Sequence, residues 1–275
     1  MIVTSKELFK KAKEGNYAIP SANYIDLDSA RVYVKVAEKE NKPLILAFAQ
    51  AHKDIISLEE AAVIGKFFAE QAKTPVVLHL DHGEDFDYIK RAIDLGFSSV
   101  MIDASQDSFE ENVRKTKEVV EYAHARGVVV EAEIGYVGSG VNYENHSESD
   151  SIYTEVEDAV KFVEQTGVDS LAVSIGTAHG FYKGTPNINF ERLHQLAKAV
   201  DTPLILHGGS SSGDENLHRC ATEGIAKINI FTDFITAAVE DIKKKQPNDY
   251  IELKRTADKA MEETLSHYYK VFETK

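Results

Sequence analysis

Short runs rich in Val, Ile and Leu alternate along this chain with longer amphipathic stretches. The runs are "YAIP" (17–20), "PLILAF" (43–48), "PVVLHL" (75–80), "SVMID" (99–103), "VVVEAE" (128–133), "SLAVS" (170–174), "PLILH" (203–207) and "AKINI" (226–230), and each is expected as a strand. Between them lie helical patterns such as "SLEEAAVIGKFFAEQAK" and "SFEENVRKTKEVVEYAHARG". The second opens at Ser108, has Glu111 three residues on and ends at Gly127, the start and stop signals of a helix. Strands that are apolar nearly throughout and separated by helices belong to a parallel sheet covered by helices. Eight such units in roughly 230 residues suit a (β/α)8 TIM barrel with a C-terminal helical extension. An open doubly wound sheet fits less well, because no GxGxxG follows the first run.

Two stretches break the rhythm. "GYVGSGVNYENHSESDSIYT" (135–154) is a long polar segment after strand five, expected as an active-site loop on the strands' C-terminal side. The tail from about Ile235 to Lys275 has apolar residues at helical spacing, expected to pack on the barrel or on a partner subunit. No Pro- or Ser-rich linker interrupts the chain, so residues 1–275 are expected to form one domain, its C-terminal helices covering about 235–275.

Composition narrows the partners. The chain has 275 residues, 43% of them hydrophobic, enough for a large core. It carries 45 Asp plus Glu against 31 Lys plus Arg, a formal charge of -14 that argues against nucleic acid and anionic membranes. An anionic ligand must then be captured by a local site. One cysteine, Cys220, rules out an internal disulfide framework and fits a reducing compartment. The start, "MIVTSKELFKKAKEG", lacks the apolar core of a secretory signal, and no run approaches eighteen apolar residues. A cytoplasmic protein is expected.

In a barrel, side chains at the C-terminal strand ends converge on one site. Polar residues there are Asp81 and His82 on strand three, Asp103 on strand four, Glu131 and Glu133 on strand five, His207 on strand seven and Asn229 on strand eight. The loop after strand six adds His179. His82, His179 and His207 each precede glycine and come from separate units, so they could supply three nitrogen ligands and leave a position open, as in a catalytic zinc site. The alternative for any lone histidine is an ordinary satisfied polar residue, which is the reading for His124, His194, His218 and His267 within helical patterns. Within "HLDHG" (79–83), His79 lies inside the strand and is expected to support the site, while Gly83 is expected to let the chain turn. After strand seven, "HGGSSSG" places Gly208, Gly209 and hydroxyls Ser210 and Ser211 beside the segment Asn229, Ile230, Phe231, Thr232. Loops after strands seven and eight are the usual phosphate site of these barrels; a flexible Gly-Ser turn is the alternative.

These residues resemble the class II, metal-dependent fructose- or tagatose-bisphosphate aldolases of the shorter type. The resemblance runs from about Lys6 to Asp233 and rests on "HLDHG", "GFSSVMIDAS", "FEENV", "VEAEIG", "HGFYKG" and "PLILHGG". It implies that His82, His179 and His207 hold a catalytic Zn2+, with Glu133 close by as a second position for the metal. It implies that Asp81 is the acid/base, and that Asn23, Gly180, Lys183, the Gly208 to Ser210 turn and the Asn229 to Thr232 segment bind the dihydroxyacetone phosphate half, with a monovalent cation, Na+ or K+, near the phosphate. The implied reaction is reversible cleavage of a ketose 1,6-bisphosphate to dihydroxyacetone phosphate and glyceraldehyde 3-phosphate, in a homodimer or homotetramer.

The sequence departs from the family pattern in three places. The loop after strand five reads "GSGVNYEN" where an acidic pair is usual, leaving Glu144 as the nearest acid for the second proton transfer. Strand two ends in Ala49 where serine is usual, with Gln50 and His52 beside it. In the tail, Asp258 stands where an arginine usually meets the distal phosphate, so Lys254 or Arg255 would have to substitute. An aldolase for a different aldehyde half, a sugar-phosphate-binding barrel without turnover, and a metal-dependent isomerase or epimerase are the competing readings.

Overall fold

The computed structural model describes residues 1–135, 153–180 and 184–275. Eight parallel strands, β1 (Ile19–Asn23), β2 (Leu44–Ala49), β3 (Val76–Gly83), β4 (Ser99–Ile102), β5 (Val129–Ile134), β6 (Ser170–Val173), β7 (Leu204–Leu206) and β8 (Ile225–Ile230), close in chain order into a TIM barrel. Each expected run contains a strand. The first begins two residues later than its apolar pattern and carries on to Asn23, and the third extends through the whole of "HLDHG".

Helices α1 (Lys6–Gly15), α2 (Leu27–Glu40), α3 (Leu58–Gln71), α4 (Phe86–Leu95), α5 (Phe109–His124), α6 (Val156–Thr166), α7 (Phe190–Ala199) and α8 (Asp214–Glu223) precede or separate the strands. Local chemistry sets their starts. Ser57 accepts the Glu60 N–H, and the Glu60 carboxylate accepts the Ser57 N–H at 2.7 Å, a complete capping box at the head of α3. Ser57→Ala is therefore expected to cost about 1 kcal/mol, seen as a fall of roughly 2–4 °C in Tm. Ser108 likewise accepts from Glu111 N–H, but the Glu111 carboxylate turns to Arg114 instead of closing the box.

The interior is layered. At the bottom, Phe9 and Ala12 of α1 plug the barrel against Ile19, Ile45, Val77 and Ile205. Above this apolar plug the inward positions turn polar, His79, Glu131 and Lys227, and above those lie Asn23, Asp81, Glu133 and Asn229 at the mouth.

The tail forms α9 (Thr232–Lys245) and α10 (Tyr250–Val271), which pack on each other, and α10 packs on α2. The tail thus packs on the barrel, one of its two expected docking surfaces. Tyr269 donates to the Pro43 carbonyl at 3.0 Å and Thr274 to that of Ala18 at 2.6 Å, tying the chain's end to the start of β1 and β2. None of the described helices is long and apolar enough to cross a membrane.

Candidate active site and metal centre

Adjacent residues of a strand point to opposite faces, so Asp81 and His82 could not both face the mouth of a regular β3. A bulge resolves this. Between Leu80 and Gly83 the register against β4 shifts, and His82 takes a left-handed φ of 47°, which costs a residue with a Cβ about 1–2 kcal/mol. Gly83 serves this geometry through close approach and not by turning the chain as its sequence position suggested. A Cβ there would lie 2.5 Å from the Met101 carbonyl oxygen, and the Gly83 carbonyl accepts the Asp103 N–H at 2.8 Å.

With His82 so placed, His82, His179 and His207 bring ligand atoms within 4.8 Å of one another. His82 Nδ1 bonds Asp103 Oδ2 at 2.8 Å and His207 Nε2 bonds Glu131 Oε1 at 2.9 Å. These partners assign the N–H to those nitrogens, which turns the lone pairs of His82 Nε2 and His207 Nδ1 toward each other, 2.9 Å apart. Two lone pairs at that distance repel unless a cation lies between or beside them. Nearby, His179 Nε2 is buried with no hydrogen-bond partner. Three inward imidazole nitrogens, two of them on rings backed by carboxylates, fit a divalent metal ion of the zinc type. Glu133 Oε2 stands 3.4 Å from His207 Nδ1, and a second group that could hold a metal joins His82, Asp103 and Glu133.

The field agrees with the geometry. Burial works against a charged His82, yet Asp81, the Asp103 hydrogen bond and Glu133 push its pKa up to about 10. Burial and the other two imidazoles push His179 down to about 3. The centre thus favours one positive charge held among the carboxylates.

Asp81 lies beside it, buried, with each oxygen satisfied: Asn23 Nδ2 donates to Oδ2 at 2.8 Å and Asn229 Nδ2 to Oδ1 at 2.9 Å. Burial raises its pKa, but His82, His207 and Lys227 overcome this and hold the carboxyl well below the usual range. Asn23 and Asn229, expected as substrate contacts, both grip this carboxylate and also line the cleft.

The cleft at the mouth has a volume of about 520 Å³. On the β7 and β8 side it is lined by Gly180, Gly208, Ser210, Ile230, Phe231 and Thr232. Gly208 has φ 64° and a Cβ there would meet the Ala178 carbonyl oxygen at 2.3 Å, while Gly209 lies underneath against Ile228. Ser210 Oγ accepts the N–H groups of Phe231 and Asp233 at 3.1 and 3.3 Å, joining this turn to the N-terminus of α9 and keeping its own proton to donate. Ser211 departs from its expected role, because its N–H and hydroxyl both bind Asp233.

On the opposite side the wall comes from the loops after β2, β3 and β4, with Ala49, Ala51, His52, Glu84, Ser105 and Gln106. Lys254 and Arg255 do not reach it. Lys254 pairs with Asp28, and Arg255 faces a separate surface hollow with Lys245 and Glu252. Glu144 and Lys183 lie outside the described residues. The other histidines are satisfied elsewhere: His124 by Asp169, His194 by Glu223, His218 by the Val271 carbonyl and His267 by Asp214.

Beneath the metal centre lies a network the sequence reading did not assemble. Lys227 Nζ donates to both Glu131 oxygens at 2.9 and 2.7 Å and to His79 Nε2 at 3.3 Å, while His79 Nδ1 bonds Ser99 at 2.8 Å. Burial, then Lys227, push His79 down to about 3, so the ring is neutral and accepts from the ammonium. The available signal was a charge inside each of two apolar strands, "VVVEAE" and "AKINI", since a buried charge requires a partner. The network fixes the Glu131 carboxylate, which in turn fixes the His207 tautomer. Asp103 does the same for His82, and Asp103→Asn is expected to lower zinc affinity about 10- to 100-fold in competition with a chromophoric chelator, the circular dichroism staying unchanged.

Comparison with known proteins places this geometry. The family model described as "Fructose-bisphosphate aldolase class-II" matches residues 3–275. The chain is 38% identical to a fructose-bisphosphate aldolase of Geobacillus stearothermophilus over 259 residues, 90% of this chain and 88% of the relative. It is 38% identical to the protein YdjI of Escherichia coli K12 over 261 residues, 95% of this chain and 94% of that one. The crystal structure of that YdjI aldolase superposes with a TM-score of 0.90 at 35% identity, covering 100% of this chain and 98% of the other.

Proposed function

The chain belongs to the class II fructose-bisphosphate aldolase family, and on that premise we propose that it cleaves a ketose carrying a 1-phosphate, reversibly and with a bound Zn2+, to dihydroxyacetone phosphate and an aldehyde. The observation that carries this reading is the buried Asp81 carboxylate, aimed by Asn23 and Asn229 and adjoining three convergent imidazoles at one end of a glycine turn. His82, His179 and His207 would hold the ion. When bound, it supplies a Lewis acid that draws electron density from the ketone oxygen.

The chain's own residues do the rest. The Gly208 to Ser210 turn and the N-terminus of α9 bind the phosphate, and the Ser210 hydroxyl, whose oxygen already accepts from Phe231 and Asp233 N–H, donates its proton to it. Asp81 takes the proton from the hydroxyl on the carbon beyond the scissile bond. That O–H pair becomes the aldehyde C=O, and the carbon–carbon bonding pair moves to the carbon beside the ketone. This carbon then takes a proton to give dihydroxyacetone phosphate; Glu144, in the loop after β5, is the acid proposed for that transfer. In condensation each step reverses.

The test is direct. Purified protein is incubated with fructose and tagatose 1,6-bisphosphates and a panel of ketose 1-phosphates, with and without chelator, and dihydroxyacetone phosphate is assayed. Chelator-sensitive release from at least one member is expected. No release from any of them sinks the proposal, isomers without triose phosphate favour an isomerase, and binding without turnover favours a regulatory barrel. Exposed Val63 and Phe67, one turn apart on α3, support a homodimer or homotetramer, which light scattering on the purified protein would test.

A further inference from the structure

We infer that the aldehyde half accepted by this site is a polyhydroxylated aldehyde without a terminal phosphate, recognised by the wall built from Ala49, Ala51, His52, Glu84, Ser105 and Gln106. The inference rests on the aldolase reading, which sets the direction of the substrate. With the first phosphate at the β7 and β8 turns and the scissile bond at Asp81, the remaining carbons extend over the loops after β2, β3 and β4.

That end of the cleft is built for hydroxyls. Among the described residues lining the cleft there is no Lys or Arg on either side. A first phosphate can still be bound by backbone N–H groups and a helix N-terminus on the β8 side. The other wall contributes a carboxylate, Glu84, which is exposed, and two neutral donors or acceptors, Ser105 and Gln106. The backbone at Glu84 is held there, because its N–H donates to Gln50 Oε1 at 2.9 Å and Gln50 Nε2 in turn donates to Asp85. Asp103 is spent on His82 and on Ser105, whose hydroxyl donates to Oδ1 at 2.7 Å. His52 stacks on Phe231 with ring centroids 4.4 Å apart, and its buried Nδ1 has no hydrogen-bond partner, a polar atom suited to a substrate hydroxyl. Burial lowers its pKa, so the ring meets a ligand as a neutral group.

Outside the described residues, the loop after β5 adds no cation, and Lys183, beyond Gly180, is the one the family resemblance assigns to the dihydroxyacetone phosphate half. Residues 136–152 contain neither Lys nor Arg and include Glu144, Glu148 and Asp150. Lys254 and Arg255 are engaged elsewhere on the surface. Among the described residues of that wall a second phosphate dianion would thus meet the Glu84 carboxylate and no cation, and like-charge juxtaposition is a strong means of rejecting a ligand.

The experiment runs the reaction in synthesis. Consumption of dihydroxyacetone phosphate by the zinc-loaded enzyme is measured with glyceraldehyde, with four- to six-carbon sugar aldehydes, and with glyceraldehyde 3-phosphate. At least one unphosphorylated aldehyde is expected to exceed glyceraldehyde 3-phosphate in kcat/KM by about 10-fold or more. Glu84→Lys is expected to raise kcat/KM for glyceraldehyde 3-phosphate and to lower that ratio. Lys254→Ala and Arg255→Ala are expected to leave both values unchanged. Equal or better use of glyceraldehyde 3-phosphate overturns this inference and leaves the aldolase reading standing. Loss of its use in Lys254→Ala or Arg255→Ala likewise overturns it. No consumption with any aldehyde removes the aldolase reading, and this inference with it.

Discussion

Asp81→Asn is expected to lower kcat for ketose phosphate cleavage by about 10²- to 10⁴-fold, the usual worth of a positioned acid/base group. The substitution keeps the shape and one acceptor oxygen but removes the group that takes the hydroxyl proton. Both oxygens of the native carboxylate accept from amides, Asn23 and Asn229, so the variant loses one of these bonds and the pocket keeps its outline. Asp81 belongs to neither group of side chains placed to share a metal, so metal content measured by atomic emission is expected to stay at the native level. The two readouts together separate proton transfer from metal binding. Near-normal turnover removes Asp81 from the mechanism, and loss of the ion makes it a metal residue instead.

Removal of the metal is expected to have an effect of similar size on activity and a large one on stability. Without a divalent cation, His82 and His207 face each other at 2.9 Å, and the carboxylates of Asp81, Asp103 and Glu133, which push the His82 pKa up to about 10 against burial, are left to hold a proton in its place. His179 Nε2 is left buried without a partner. A ligand present at 1,000 times its Kd stabilises by about 4 kcal/mol, and for a chain of this size each kcal/mol moves Tm by roughly 2–4 °C. Exhaustive chelation is thus expected to abolish cleavage and to lower Tm by roughly 10 °C, with both restored by added Zn2+. Unchanged turnover after verified depletion of metal overturns the metal-dependent reading.

The same three histidines show how far the residues speak before folding. Each was legible because it precedes glycine at, or in the loop just beyond, the C-terminal end of an apolar run, a position where a barrel exposes side chains to its mouth. Asp81 was legible through the family motif, but not what holds it. Asn23 and Asn229 lie on β1 and β8, 206 residues apart in the chain numbering (229 less 23), and meet on one carboxylate because the barrel closes β8 against β1. Lys227 and Glu131 are 96 residues apart and bond across the interior, so neither charge announces its partner.

The sequence by itself determined the barrel, because the alternation of apolar strands with capped amphipathic helices is a local property, written in residues a few positions apart. It also placed the candidate polar residues at the C-terminal ends of the strands, the end where a barrel gathers its site. Tertiary structure decided what those side chains do to one another. The bulge that turns His82 inward, the lone pairs set face to face at the metal centre, the ion pair under His207 and the absence of Lys or Arg along the described aldehyde wall are all relations between strands and loops remote in sequence. Distances and charges across a closed barrel depend on register and closure, and no local pattern carries them.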